Sequence, residues 1–192
     1  MYRGFIKRII DLLLSIILLM IFSPLMIIIF FIVWFIIGFP IFSQKRPGLN
    51  NKIFNIYKFK TLYDSFENLK ENERQNKFGD FLRKTGLDEL PQLFNIMKND
   101  MSLIGPRPLL TEYLNKYSKE EIKRHLVKPG ITGLAQISDT KDGSKSWKKS
   151  LKLDVFYAIN LSFSLDVYIL YNTLKLIVMN KKQYQDFKKF NE

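Results

Sequence analysis

No cysteine occurs in the 192 residues, and His125 is the single histidine. Disulfide staples and thiolate-bound metals are therefore excluded. A lone histidine also gives little basis for a zinc centre of clustered imidazoles or for Ser–His nucleophilic chemistry. Acidic residues are scarce, 18 against 30 Lys plus Arg, for a net charge of +12. That surplus points to a polyanionic partner: nucleic acid, an anionic membrane surface or a phosphorylated substrate. Internal repeats are absent, and the chain has room for one domain plus a membrane segment. Any catalysis must run on carboxylates, Lys, Arg and hydroxyls, with or without a hard metal ion.

Residues 12–39 form an almost wholly apolar run without an ionised side chain, interrupted near its centre by Ser23-Pro24. At a helical rise of ~1.5 Å per residue it would reach roughly 40 Å, against a hydrocarbon core of about 30 Å. It lacks the polar face of a soluble core helix and is too long for a signal-peptide core, so it enters a membrane. Lys7 and Arg8 precede it, and Lys45 and Arg46 follow it. Positive charge prefers the cytoplasmic side, so both ends ask for the same side. Pro24 supplies a bend and Ser23 a local hydroxyl for freed backbone groups. A helix–break–helix that leaves by the face it entered fits this charge pattern; a kinked, tilted span is the other reading. Asp11, one turn after Arg8, has the spacing for an Arg8–Asp11 ion pair.

Beyond the run, Pro47-Gly48 marks a turn, and Ile53, Phe54, Ile56 and Tyr57 read as a short strand. Lys58 and Lys60 fall on one side of the extended Lys58-Phe59-Lys60-Thr61 segment. Residues 64–84 read as a charged helix burying Phe66, Leu69, Phe78, Phe81 and Leu82. Residues 101–104 read as a strand and 111–126 as an amphipathic helix, with His125 a surface or satisfied polar residue. In Lys128-Pro129-Gly130-Ile131-Thr132-Gly133 the two glycines allow close backbone approach to a ligand. Residues 147–160 and 161–179 read as helices lying in a membrane interface, or else packed in the soluble core. The polar tail, 181–192, reads as frayed.

Arg83-Lys84-Thr85-Gly86-Leu87-Asp88-Glu89-Leu90-Pro91 carries the acidic pair of interest. Proline is tolerated in a first helical turn, so Pro91 predicts a helix starting close to Asp88. Asp88 and Glu89 would then face unpaired backbone N–H groups, either as caps (Thr85 and Asp88 have capping-box spacing) or as reactive carboxylates. Arg83 and Lys84 could complete a phosphate site in the same loop. Gly105-Pro106-Arg107-Pro108 holds one guanidinium between two prolines, a preset fork suited to phosphate oxygens or else an exposed loop cation.

Taken together, these residues resemble the bacterial sugar transferases, the monotopic phosphoglycosyl transferases. The resemblance runs nearly end to end: Lys7-Arg8 and Asp11, Ser23-Pro24, Gln44, Arg46 and Gly48, residues 57–61, Leu87-Asp88-Glu89-Leu90-Pro91-Gln92, Gly105-Pro106-Arg107-Pro108, residues 129–136, then Leu153-Asp154 and Tyr157. The small size is similar to the bacillosamine-type members. The resemblance implies an α+β, mostly helical fold: a re-entrant anchor (1–43) and a small cytoplasmic catalytic domain with interfacial helices (44–192). It implies transfer of a sugar 1-phosphate from a UDP-sugar to polyprenol (undecaprenyl) phosphate with release of UMP, by a ping-pong route. Asp88 would be the nucleophile and the Mg²⁺ ligand, with Glu89 its partner. Arg107, Lys60 and Arg83 would bind substrate phosphate, and Arg8, Asp11, Ser23 and Pro24 would shape the anchor. Anionic lipids are implied partners at the bacterial inner membrane, nucleic acid is not, and there is room for a homodimer.

Three departures stand out. Ile137-Ser138-Asp139 replaces a Gly-Arg common after Gln136, Lys60 stands where Arg is frequent, and Gly86 where Ser is frequent. None touches the acidic pair. A non-catalytic membrane-anchored binder of lipid-linked intermediates is the rival reading; it would not depend on Asp88, Glu89 or Mg²⁺.

Overall fold

The computed structural model describes residues 2–64, 74–138 and 147–178. A π-helical turn, Tyr2–Ile6, leads into helix α1, Lys7–Ile37. This segment is the one helix among the described residues long and apolar enough to cross a membrane, with a mean hydropathy of 3.2 in its most apolar window. The sequence predicts a break at Ser23-Pro24, yet α1 runs through Pro24 as one helix. Pro24 has no N–H for the carbonyl of Met20, and the Ser23 hydroxyl donates to that same carbonyl at 3.1 Å. The orphaned acceptor is satisfied locally, so the helix carries on past the proline.

One narrow stripe of α1 is buried: Lys7, Asp11 and Ser15, then Met26, Ile29, Val33 and Ile37. This is a single helical face, polar at its start and apolar at its end. The Lys7 ammonium donates to Asp166 Oδ2 at 2.7 Å and stands 4.0 Å from Asp11 Oδ1. Asp11 accepts from the Leu103 amide at 3.1 Å. The expected Arg8–Asp11 pair is therefore replaced by Lys7–Asp11, because Lys7 shares the buried stripe and Arg8 lies one residue further round. Arg8 instead donates to the carbonyls of Ile96 and Met97 at 2.6 and 3.1 Å. Tyr2 and Tyr157 hydroxyls add bonds to Asp166 at 2.6 and 2.7 Å, so this buried carboxylate is fully engaged. Arg3 reaches the Ala158 carbonyl.

Strands β1 (Ile41–Pro47) and β2 (Ile53–Phe59) form an antiparallel hairpin, Ile41 opposite Phe59 and Pro47 opposite Ile53. Phe59 packs with Leu82 and with Met26, Ile29, Val33 and Ile37 of α1, so the C-terminal half of α1 shares a core with the polar domain. Burying each such side chain is worth roughly 1.5–3 kcal/mol. Helix α2 (Lys77–Thr85) is capped by Asn76, whose Oδ1 accepts from the Gly79 amide at 2.7 Å. Of its expected buried residues Leu82 is in the core, Phe81 is half exposed, and Phe66 and Leu69 lie outside the described residues. Helix α3 is Gln92–Met97; the Arg8 bonds cap its last carbonyls.

Strand β3 (Ser102–Ile104) runs parallel to β4 (Gly130–Thr132). Here the two glycines serve backbone packing instead of ligand approach. A Cβ on Gly130 would stand 2.1 Å from the Gly105 nitrogen, and one on Gly133 2.2 Å from the Gly105 oxygen. The glycines thus clamp the loop that follows β3.

The single helix expected at 111–126 is two 3-10 turns, Thr111–Lys116 and Glu121–Leu126, with Tyr117 extended between them. Ser118 and Glu121 exchange side-chain bonds with each other's amides, at 2.8 and 3.2 Å, and this capping box restarts the chain. The second turn buries Arg124 and His125. Arg124 grips Asp154 at 2.6 and 3.1 Å. Its Nη1 lies 3.3 Å from His125 Nε2; arginine only donates, so Nε2 accepts and Nδ1–H donates to Asn51 Oδ1 at 2.5 Å. Short helix α4 (Leu134–Ile137) follows β4, then α5 (Trp147–Asn160) and α6 (Phe163–Val178). Tyr157, Ala158 and Ile169 pack with Ile104, Val127, Leu134 and Ile137. The stripe Val167, Leu170, Leu174 and Ile177 faces outward, and so do Phe156, Ile159 and Phe163. The frayed-tail reading of 181–192 falls outside the described residues.

Burial and the Arg124 charge lower His125 from the usual imidazole range to about 4. A depressed basic group supports the fold above its unfolded pKa of about 6.5, and that support is lost as pH falls from there towards 4. Wild-type protein should lose about 3 kcal/mol of unfolding free energy over that window through this residue. His125→Gln should titrate correspondingly less. Parallel curves of the two proteins, followed by denaturant unfolding in detergent, would contradict the assignment.

Candidate active site

The site is built on the turn between α2 and α3. Gly86, at φ 72°, ends α2 in the left-handed region, and a 3-10 turn, Leu87–Glu89, follows. Leu87 and Leu90 pack against the cluster that holds Phe59 and Leu82, while Glu89 lines a polar cavity. The expected helix start near Asp88 is displaced: α3 begins at Gln92, after Pro91. Thr85 does not cap it, since its hydroxyl donates back to Phe81 and Leu82 carbonyls at 2.8 and 3.1 Å. Neither acid is consumed as a helix cap.

Glu89 Oε1 accepts from Lys58 Nζ at 2.6 Å and from Arg107 Nη2 at 2.9 Å. Asp88 is buried, and its Oδ2 lies 4.0 Å from Lys58. Among the described residues no side chain donates a hydrogen bond to Asp88. Burial outweighs the Lys58 charge and raises the Asp88 pKa, with Glu89 adding to the rise. Burial also works against the Glu89 anion, but the charges and hydrogen bonds of Arg107 and Lys58 more than offset it and lower its pKa. Two adjacent carboxylates are thus driven apart: Glu89 is held as an ion-paired anion, and Asp88 is the more basic oxygen donor.

Their partners arrive from three segments. Lys58 comes from β2, which is tied to α3 by Asn95: its Oδ1 accepts from the Tyr57 amide at 3.0 Å and its Nδ2 donates to the Asn55 carbonyl at 2.7 Å. Arg107 lies in the loop clamped by the glycines, and buried Arg124 donates to its carbonyl at 2.6 Å. Of the cations expected at phosphate, Arg107 therefore lines the cavity. Lys60 and Arg83 do not: Lys60 pairs with Asp64 at 2.5 Å and Arg83 with Asp80 at 2.7 Å. Strand β2 ends at Phe59, so the alternation that seemed to put Lys58 and Lys60 together stops before Lys60. Sequence reasoning missed Lys58 as the cation of the acidic pair, and it missed Arg46 in the cavity wall. The period-two pattern offered Lys58 but could not choose between the two lysines.

The polar cavity encloses about 80 Å³ between Arg46, Lys58, Glu89, Gln92 and Arg107. A second hollow of about 960 Å³ is almost wholly apolar and lies between α1 and the domain, with Met20, Ser23 and Phe30 on one side and Pro91, Phe94 and Met97 on the other. Among the described residues no group of three His, Cys, Asp or Glu converges as a metal cage. Glu89 is engaged by cations, which leaves Asp88 as the available carboxylate. That donor set fits Mg²⁺, which is commonly held by one or two carboxylates together with substrate phosphates.

Residues 2–180 match the family described as "Bacterial sugar transferase". An "Uncharacterized sugar transferase EpsL" of Bacillus subtilis is 43% identical over 181 residues, 92% of this chain and 89% of that protein. An "Undecaprenyl-phosphate galactose phosphotransferase" of Salmonella typhimurium is 34% identical over 94% of this chain and 42% of its own length. A "UDP-glucose:undecaprenyl-phosphate glucose-1-phosphate transferase" of Klebsiella pneumoniae is 35% identical over 93% of this chain and 41% of its own length. The chain thus spans most of the first relative and less than half of the other two. With the family matched almost from end to end, and with the Asp88-Glu89 turn, Arg107 and the apolar α1 joined in one fold, the chain belongs to the bacterial sugar transferase family.

Proposed function

We propose that the protein transfers a sugar 1-phosphate from a UDP-sugar to polyprenol (undecaprenyl) phosphate and releases UMP, through a phosphosugar-bearing acyl phosphate on Asp88. The observation that carries this is the division of labour between the two acids. Glu89 is neutralised by two cations, whereas Asp88 is buried, raised in basicity and free of side-chain donors among the described residues. A carboxylate of that kind is a competent nucleophile. Its Oδ would form a bond to the sugar-bearing phosphorus while the P–O bond to the uridylate phosphate breaks and its electron pair leaves on UMP. A phosphate oxygen of the lipid would then attack the same phosphorus and return the Asp88 carboxylate. Arg107, oriented by Glu89 and by the Arg124 bond to its carbonyl, offsets charge on the transferring phosphoryl oxygens. Asp88 would also hold Mg²⁺, which when bound supplies charge neutralisation for the donor diphosphate.

The anchor reading is a re-entrant α1 that keeps the catalytic domain on the cytoplasmic face of the inner membrane. Its support is that both ends of α1 touch the same polar domain: Lys7 bonds to Asp166, and Val33 packs in the cluster with Phe59. A crossing helix would carry one end away. The outward apolar stripe of α6 is consistent with an interfacial seat, and the apolar hollow beside Ser23 suits an isoprenoid tail. The relatives whose names include undecaprenyl phosphate support the choice of acceptor.

With Mg²⁺, a panel of UDP-sugars and no lipid, the purified protein should release at most one UMP per chain. Asp88→Asn should lower that release at least ~10³-fold. Release at the wild-type rate from Asp88→Asn would remove the nucleophile. For the anchor, a cysteine replacing Gly4, around whose Cβ there is open space, and one replacing exposed Ser43 should both react with an impermeant reagent from the cytoplasmic side only. Labelling from opposite sides would mean that α1 crosses.

A further inference from the structure

Arg46 lines the polar cavity from β1, together with Lys58, Glu89 and Arg107. Its Nη2 donates to Gln44 Oε1 at 2.6 Å, and its Nη1 reaches the Pro108 carbonyl at 3.4 Å. Its Nε is buried and has no hydrogen-bond partner. Glu89, the carboxylate of the cavity wall, is already taken by Lys58 and Arg107, and among the described residues no carboxylate pairs with Arg46. Burial and the neighbouring Arg107 charge both work against its protonated form. Three cations against one engaged carboxylate leave the cavity positive, with the Arg46 Nε–H unused and Nη2 only partly used. A buried donor of that kind is uncommon unless something else satisfies it. A tie between the hairpin and the 105–108 loop would use Nη1 alone and leaves the Nε–H unexplained.

Nε and Nη2 present parallel N–H bonds along one edge of the guanidinium, and Nη2 keeps a hydrogen beyond the one given to Gln44. That edge matches two oxygens of one phosphate. Arg107 sits on Glu89 and its charge also acts on Asp88, so in the transferase reading it is the cation placed at the attacked phosphorus. Arg46 touches neither carboxylate. We propose that Arg46 binds the nucleotide-side phosphate of a nucleoside diphosphate donor, the phosphate that departs within the nucleoside monophosphate. This rests on the transferase reading above. As the Asp88 Oδ–P bond forms, the bridging P–O bond breaks and its electron pair stays on the bridging oxygen. That oxygen becomes a terminal oxygen of the phosphate held by Arg46, so the new charge falls on a preset cation and no proton has to move.

The test uses the full chain in lipid nanodiscs with EDTA present, titrated with UMP and with UDP by calorimetry, melting temperature being recorded for each variant. Arg46→Gln should raise the Kd for UMP about tenfold, as expected for loss of a charge-assisted bidentate pair. Arg46→Lys keeps the charge but loses the fork, and should raise it about threefold. A folded Arg46→Gln protein that binds UMP within twofold of wild type would overturn the assignment. If Arg46→Gln does not fold, Arg46→Lys decides: a threefold or greater loss supports the proposal, and a smaller one overturns it. Wild-type protein that binds neither nucleotide would instead take down the donor-site reading itself, an outcome distinct from equal binding by wild type and variant.

Discussion

Glu89 is the group on which the site converges. It takes charge-assisted hydrogen bonds from Lys58 on β2 and from Arg107 after β3, so one carboxylate joins three segments distant in sequence. Such bonds are short and roughly twice as strong as neutral ones, and they gain further from a partly dry setting. Their chemical consequence falls on Asp88. With the cations committed to Glu89, the neighbouring acid is left buried with little direct compensation and becomes the more basic of the pair. A symmetric pair would have shared the cations and made both carboxylates poor nucleophiles.

The frame that holds this arrangement includes the long apolar helix α1. The polar end of α1 fastens to α6 through Lys7 and Asp166, and to β3 through Asp11 and the Leu103 amide. Arg8 caps α3, the helix that follows the acidic turn. Removing α1 would leave Asp166 and the end of α3 short of their partners, so this apolar helix is part of the fold that holds the acidic turn. On the far side, Arg124 and Asp154 form a buried pair that supports Arg107 from behind.

Much of this was legible in the residues. The long apolar run, the Asp88-Glu89 pair before Pro91 and the proline-framed Arg107 each state a local physical constraint, and local constraints survive folding. What could not be read depends on distance. Lys58 and Lys60 share a strand period, and only the end of β2 at Phe59 separates them. Lys7 and Arg8 are neighbours, and only the burial of one α1 face decides which meets Asp11. The Arg124–Asp154 pair crosses thirty positions, which no local pattern reports. Gly130 and Gly133 did signal close backbone approach, but the approaching group is the chain itself. The Ser118–Glu121 capping box lay in plain view, and it splits the helix expected there.

Two adjacent carboxylates differ here in basicity because their surroundings differ, and a difference in role should follow. Locating the covalent phosphosugar tests it most directly: wild-type and Glu89→Gln proteins are incubated with the UDP-sugar that supports UMP release, quenched in acid, digested and mapped by mass spectrometry. An adduct on Asp88 is expected in both proteins, formed more slowly in the variant. An adduct on Glu89, or none at all in protein that turns over when lipid phosphate is added, would contradict it.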